Sequence, residues 1–220
     1  MVIYAIMQIT ISVILIKEGG HIVVKFETLP EGKQITVLNA AFSCFGKNGY
    51  KKTSIADIAA AAGIAKASVF QYFGSKKELY VYLFEYACDK IINEMPVGTD
   101  DFFECLQIGT NVKMRVMARH PGMYDFLSSL VIETDNTIVS ELNLHADMQV
   151  GKALGGLLGN VNWNKLKPGV DREMLLNAVR WVNDGYLNDA IGNKNAETMR
   201  RELFEYLDLI KNAYYKEEYL

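Results

Sequence analysis

The stretch from Thr53 to Leu79, TSIADIAAAAGIAKASVFQYFGSKKEL, decides the fold. Thr53 or Ser54 caps a helix here, and Ser54 followed three residues later by Asp57 forms a capping-box-like pair. Ile55, Ile58, Ala59 and Ala62 then recur at three- and four-residue intervals, which places them on one inward face. Gly63 supplies the freedom to take positive φ that a tight turn needs, Ile64 plugs the core, and a further helix runs from about Lys66 to Phe73. Upstream, Val37, Ala40, Ala41, Phe42, Cys44 and Phe45 stripe a first helix, which the run from Gly46 to Gly49 is expected to close. Three short helices with this turn have helix-turn-helix spacing.

Charge separates this stretch from the rest of the chain. Between Glu31 and Tyr80 stand Lys33, Lys47, Lys51, Lys52, Lys66, Lys76 and Lys77 against Glu31, Asp57 and Glu78, a local charge of +4. The whole chain carries −3, so the remainder carries −7. A basic head on an acidic body suits a DNA-facing unit, because phosphate contacts supply most non-specific affinity. A solvated lysine face would give the same count, so charge alone does not decide between the two.

The residues Gly49-Tyr50, Thr53-Ser54-Ile55, Ile58-Ala59, Ala62-Gly63-Ile64, Ser68-Val69-Phe70, Tyr72-Phe73 and Ser75-Lys76-Lys77-Glu78-Leu79 resemble the N-terminal DNA-binding signature of the tetracycline-repressor (TetR) family. The resemblance runs from about Lys33 to Leu83, about a quarter of the chain. It implies a DNA-binding site made of Thr53, Lys66, Ala67, Ser68, Phe70, Gln71, Tyr72 and Lys76. Lys66, Ala67, Ser68 and Gln71 occupy the positions that read base edges in a major groove. Lys66 suits guanine or phosphate, and Gln71 suits adenine or phosphate. Thr53, Tyr72 and Lys76 match phosphate clamps, Lys76 beside the free amides behind the Ser75 cap. Two positions depart from the family pattern. Phe70 replaces a tyrosine and is left for packing or stacking, while Ala65 replaces a serine or threonine cap, a loss of about 1 kcal/mol. Tyr50, Phe45 and Phe73 read as core.

Beyond Ser75 the pattern is helical almost throughout, and the expected fold is all-α with about nine helices by the placing of glycine and proline breaks. The expected division is an N-terminal extension over residues 1–30, a helix-turn-helix domain over 31–80, and a larger helical effector-binding and dimerisation domain over 81–220. Met114, Met117, Phe126, Met148 and Trp181 are candidates for an effector pocket, since methionine and aromatic rings adapt to apolar ligands. Each is also an ordinary core residue type. Two long C-terminal helices, with Trp181 on one and Leu203, Leu207 and Ile210 on the other, resemble the family's four-helix dimer interface.

The remaining features mainly exclude. Half of the 220 residues are hydrophobic and only four are proline, so the chain is neither disordered nor low in complexity. Cys44, Cys88 and Cys105 lack the spacing of a disulfide framework or zinc site, His21, His120 and His145 are scattered, and no P-loop or nucleophile elbow occurs. No enzyme chemistry, metal or cofactor is expected. Met1 to Ile16 is apolar but shorter than the roughly 18 to 20 residues of a membrane span, and lacks the features of a secretory signal. Lys17-Glu18-Gly19-Gly20 is encodable by a ribosome-binding sequence, so translation from Val23 or Val24 is one reading of this segment and a short membrane-associated tail the other. Together these features predict a cytoplasmic, ligand-responsive regulator, most simply a repressor. It would bind palindromic operator DNA as a homodimer and be released by a small, mostly apolar effector, without stable membrane association. The competing reading is an all-α ligand-binding or membrane-associated protein whose basic unit meets acidic partners.

Overall fold

The computed structural model describes residues 25–131, 133–142, 156–190 and 193–220. Eight helices have both ends within these residues: α1 (Glu31–Lys52), α2 (Ile55–Ala62), α3 (Lys66–Phe73), α4 (Lys76–Ile92), α5 (Phe102–Ala118), α6 (Met123–Val131), α7 (Arg172–Ala190) and α8 (Ala196–Tyr214). Residues 136–142 and 156–158 are helical as well. Extended pairing among the described residues is limited to one antiparallel bridge between Leu166 and Tyr215, and the fold is all-α. No helix among the described residues is long and apolar enough to cross a membrane. Met148 and the proposed start at Val23 or Val24 lie outside the described residues.

The first helix breaks at the last of its expected closing glycines and not at the first. Gly46 stays helical and α1 continues to Lys52, broken only at Gly49, whose φ is 70° and ψ 175°. Tertiary contact explains the difference. A Cβ on Gly46 would sit 2.7 Å from the Phe126 backbone nitrogen, so the bare glycine lets α1 lie directly on α6. Here glycine serves close approach and not helix termination.

Packing joins the head to the body. Phe45, Tyr80 and Phe126 form a ring cluster, with Phe45 and Tyr80 centroids 4.8 Å apart and Tyr80 and Phe126 centroids 5.1 Å apart. One continuous apolar core therefore extends from α1–α3 through α4 into α6. Phe26, upstream of α1, is fully buried in it, 4.7 Å from Phe73 and 5.8 Å from Tyr82 between ring centres. The segment before Glu31 thus contributes to the head. A second core joins Phe102, Phe103 and Cys105 of α5 to Leu175 and Val179 of α7, to Leu203 and Leu207 of α8, and to Tyr215. Asp101 holds that region together. One carboxylate oxygen caps α5 by accepting from the Phe103 and Glu104 amides, and the other accepts from Lys211 at 3.1 Å. Bonds to the amides and to Lys211 hold its carboxyl below the usual range, against the opposing effect of burial.

Candidate nucleic-acid interface

Local chemistry builds the head as its sequence anticipates. The Ser54 hydroxyl accepts from the Asp57 amide at 3.2 Å while Asp57 accepts from the Ser54 amide and hydroxyl, a complete capping box at the start of α2. Gly63 is left-handed, with φ 66° and ψ 32°, and its amide and that of Ile64 return to carbonyls of α2. The turn then aims α3. Ala65 gives α3 no side-chain cap, and Ser75 caps α4 by accepting from the Glu78 amide.

Helix α3 has two distinct sides. Val69 and Phe73 are buried, Ser68 and Tyr72 are half-buried, and Lys66, Ala67, Phe70 and Gln71 are exposed. The four exposed residues lie at i, i+1, i+4 and i+5, so they share one outward face. Lys66 sits with its ammonium 5.9 Å from the centre of the Phe70 ring. A helix presenting a cation, an amide, a phenyl ring and a methyl, in a basic head, has the groups needed for base edges in a major groove. Lys51 and Lys52, both exposed at the end of α1, extend the basic surface, and their place in the last turn of a helix was the signal for them.

Of the residues expected at DNA, Thr53 is buried, and the half-buried Lys76 and Tyr72 make contacts within the head. Thr53 is only 2% exposed, and its hydroxyl donates between the carbonyls of Cys44 at 3.0 Å and Gly49 at 2.8 Å. It ties the end of α1 and has no face toward solvent. Lys76 donates to the carbonyls of Tyr50 at 2.9 Å and Thr53 at 3.2 Å, so two of its three N–H groups are engaged inside the head. The Tyr72 ring packs on Phe26 and Phe73.

Two further contacts connect the head with the segment after α6. The Glu133 carboxylate accepts from the Tyr50 amide at 3.4 Å and from the Thr134 and Asp135 amides, while Lys77 pairs with Glu141 at 3.0 Å. Partners 83 and 64 residues apart leave no local signal in the sequence. On α4, burial reinforced by the nearby Glu85 carboxylate pushes Asp89 up to about 6. On α5, burial pushes the Lys113 ammonium down to about 8.

Among the described residues, the expected effector residues Met114, Met117, Phe126 and Trp181 do not share one place. Phe126 is fully buried between Phe42, Phe45 and Tyr80, and Met117 packs at the border of the same core. Met114 is half-buried on α5. Trp181 is 64% exposed on α7 and lies outside any interior grouping with them. The expected dimer contacts divide, with Trp181 exposed on α7 and the three on α8 packed inward. Leu203 and Leu207 are buried in the body's own core, and Ile210 packs beside them, because α8 turns this stripe toward α5 and α7. The apolar groups that α7 and α8 turn outward are Met174, Trp181, Tyr206 and Leu209.

Residues 37–83, from within α1 to within α4, match the family described as bacterial regulatory proteins, tetR family. The match covers the head alone. Two relatives extend the likeness along most of the chain's length. The HTH-type transcriptional repressor AcnR of Corynebacterium glutamicum is 23% identical over 86% of this chain and 96% of its own. The fatty acid metabolism regulator protein of Bacillus subtilis is 22% identical over 74% and 91%. Among solved structures, SmeT, the repressor of the Stenotrophomonas maltophilia multidrug efflux pump SmeDEF, aligns with a TM-score of 0.61 at 17% identity over 87% of this chain and 93% of SmeT. A SmeT–triclosan complex aligns with a TM-score of 0.62. The similarity is thus to transcriptional regulators, over most of the chain's length.

Proposed function

We propose that this protein is a cytoplasmic repressor of the TetR family that binds a palindromic operator as a homodimer and leaves it when a small, mostly apolar effector binds. The observation that carries the reading is the outward face of α3, where Lys66, Ala67, Phe70 and Gln71 stand together on a head of charge +4. Residues 31–80, with Phe26 packed beneath them, are the DNA-reading unit, and residues 81–220 bind the effector and the second copy. A repressor role is supported by the likeness to the repressors AcnR and SmeT, and a small-molecule effector by the SmeT–triclosan complex. Support for a pairing surface comes from Met174, Trp181, Tyr206 and Leu209, exposed on two neighbouring helices. Two such helices from each of two copies would close a four-helix contact. The contacts of Glu133 with Tyr50 and of Glu141 with Lys77 give the body a grip on the head, so a rearrangement in one would shift the other.

The test is reciprocal binding. The intact protein is titrated with its selected duplex in the presence and absence of a panel of hydrophobic small molecules. An effector should lower duplex affinity, and saturating duplex should lower effector affinity by the same factor. A panel without any binder, with duplex affinity unchanged throughout, would contradict the apolar-effector reading.

A further inference from the structure

We propose that Phe70 reads the 5-methyl group of a thymine in the operator, making it a specificity-determining residue of the α3 face. The inference rests on the DNA-reading role proposed above. Phe70 is 43% exposed, although a phenyl ring left in water is an unfavourable surface group. Its neighbours on α3 divide sharply: Val69 and Phe73 turn into the core, while Phe70 turns outward with Lys66, Ala67 and Gln71. Ala67, one turn before it on the same face, adds a methyl to the patch. The surrounding head carries +4, which favours a polyanion over an apolar protein partner. In the major groove of DNA, the thymine 5-methyl is the one apolar group among the base edges, and phenyl and methyl side chains are its natural contacts. A phenyl ring has no hydroxyl to donate to a phosphate, so its energetic return on the groove is burial of apolar surface. Gln71, adjacent on that face, pairs its amide with adenine N6 and N7. The two together predict a thymine and an adenine close to one another in each half-site. Lys66, now beside the ring, is free to swing to guanine or phosphate.

The experiment uses the full chain and a duplex selected from random sequence. Each thymine is replaced singly by deoxyuridine, which removes the methyl and leaves base pairing intact. At one thymine per half-site the replacement should weaken binding about fourfold, which corresponds to ~0.8 kcal/mol for one buried carbon. Phe70→Ala should abolish that discrimination, bringing the ratio of thymine to deoxyuridine affinity to about one, while the apolar Phe70→Leu should keep a ratio of about two or more. Both variants should melt close to the parent, since Phe70 is not a core residue. Wild-type ratios near one at every thymine would overturn the inference while leaving the operator reading intact. So would a Phe70→Ala variant that discriminates as well as the parent, or a Phe70→Leu ratio of one if the alanine variant binds too weakly to measure. Failure to enrich any duplex would instead overturn the DNA-reading role and the inference with it.

Discussion

Lys76 holds Tyr50 in two ways: its ammonium donates to the Tyr50 carbonyl at 2.9 Å and stands 4.3 Å from the centre of the Tyr50 ring. This locks the first residue of α4 to the end of α1 just beyond the Gly49 break. Lys76→Ala should therefore cost stability, by about 1–2 kcal/mol for charged hydrogen bonds that are partly open to water. If the remaining N–H meets a phosphate, the same variant should also reduce the slope of log affinity against log salt by about 0.9. Thermal melting and a salt titration separate the two roles. An unchanged melting temperature would contradict the internal tie, and an unchanged slope would remove Lys76 from the phosphate contacts.

Pairing of two copies should depend on the outward residues of α7 and α8. Trp181→Glu or Leu209→Glu should shift light-scattering mass from dimer toward monomer while leaving the melting temperature of the monomer nearly unchanged. Leu207→Glu should instead unfold the body, because Leu207 is 3% exposed and an unpaired charge there costs several kcal/mol. A dimer that survives both outward substitutions would move the interface elsewhere.

The head was legible in the sequence because its instructions are local. Ser54 and Asp57, Gly63, and the inward positions Ile55, Ile58 and Ala59 lie within a few residues of one another, and each took the place its chemistry assigns. What was not legible depends on distant partners. Gly46 reads as a helix terminator until α6 is seen lying against it, and Thr53 reads as a surface hydroxyl until the carbonyls of Cys44 and Gly49 are placed around it. Leu203 and Leu207 share an apolar stripe that fits either a dimer contact or a private core. Periodicity finds such a stripe, but only tertiary packing says what covers it.

Gly46 offers a test of the α1–α6 contact. In an open helix, replacing glycine by alanine stabilises by about 0.5–1 kcal/mol. At Gly46 a Cβ would stand 2.7 Å from the Phe126 nitrogen and 2.9 Å from the Asp125 carbonyl carbon, backbone atoms that cannot swing aside. Overpacking of this kind costs about 1–3 kcal/mol and should win. Denaturant unfolding should show Gly46→Ala destabilised, and Gly32→Ala, with open space around it, neutral or stabilised. A stabilised Gly46→Ala would mean that α1 and α6 do not touch this closely.

Asp89 should make the fold less stable at neutral pH than in mild acid. Burial and Glu85 raise its carboxyl from 3.8 to about 6, so the folded state favours the protonated form more than the unfolded state does. The advantage is full below the unfolded value and is lost as pH rises from about 4 through about 6. Asp89→Asn, neutral at every pH, should therefore raise stability at pH 7 by about 1 kcal/mol after allowance for solvent screening, and should flatten that part of the pH profile. A variant with the parent's pH profile and stability would place the Asp89 carboxylate in water.

In the proposed function, two copies of the head read one palindromic duplex through the α3 face. Fluorescence anisotropy of the full chain on a duplex selected from random sequence, at fixed near-physiological salt and beside a scrambled duplex of equal composition, tests it most directly. Two chains should bind each duplex, with a preference for the selected sequence of at least about 10³, reduced by Gln71→Ala or Lys66→Ala far more than by a distant lysine substitution such as Lys194→Ala. Equal affinity for the two duplexes, or a preference untouched by both α3 substitutions, would contradict it.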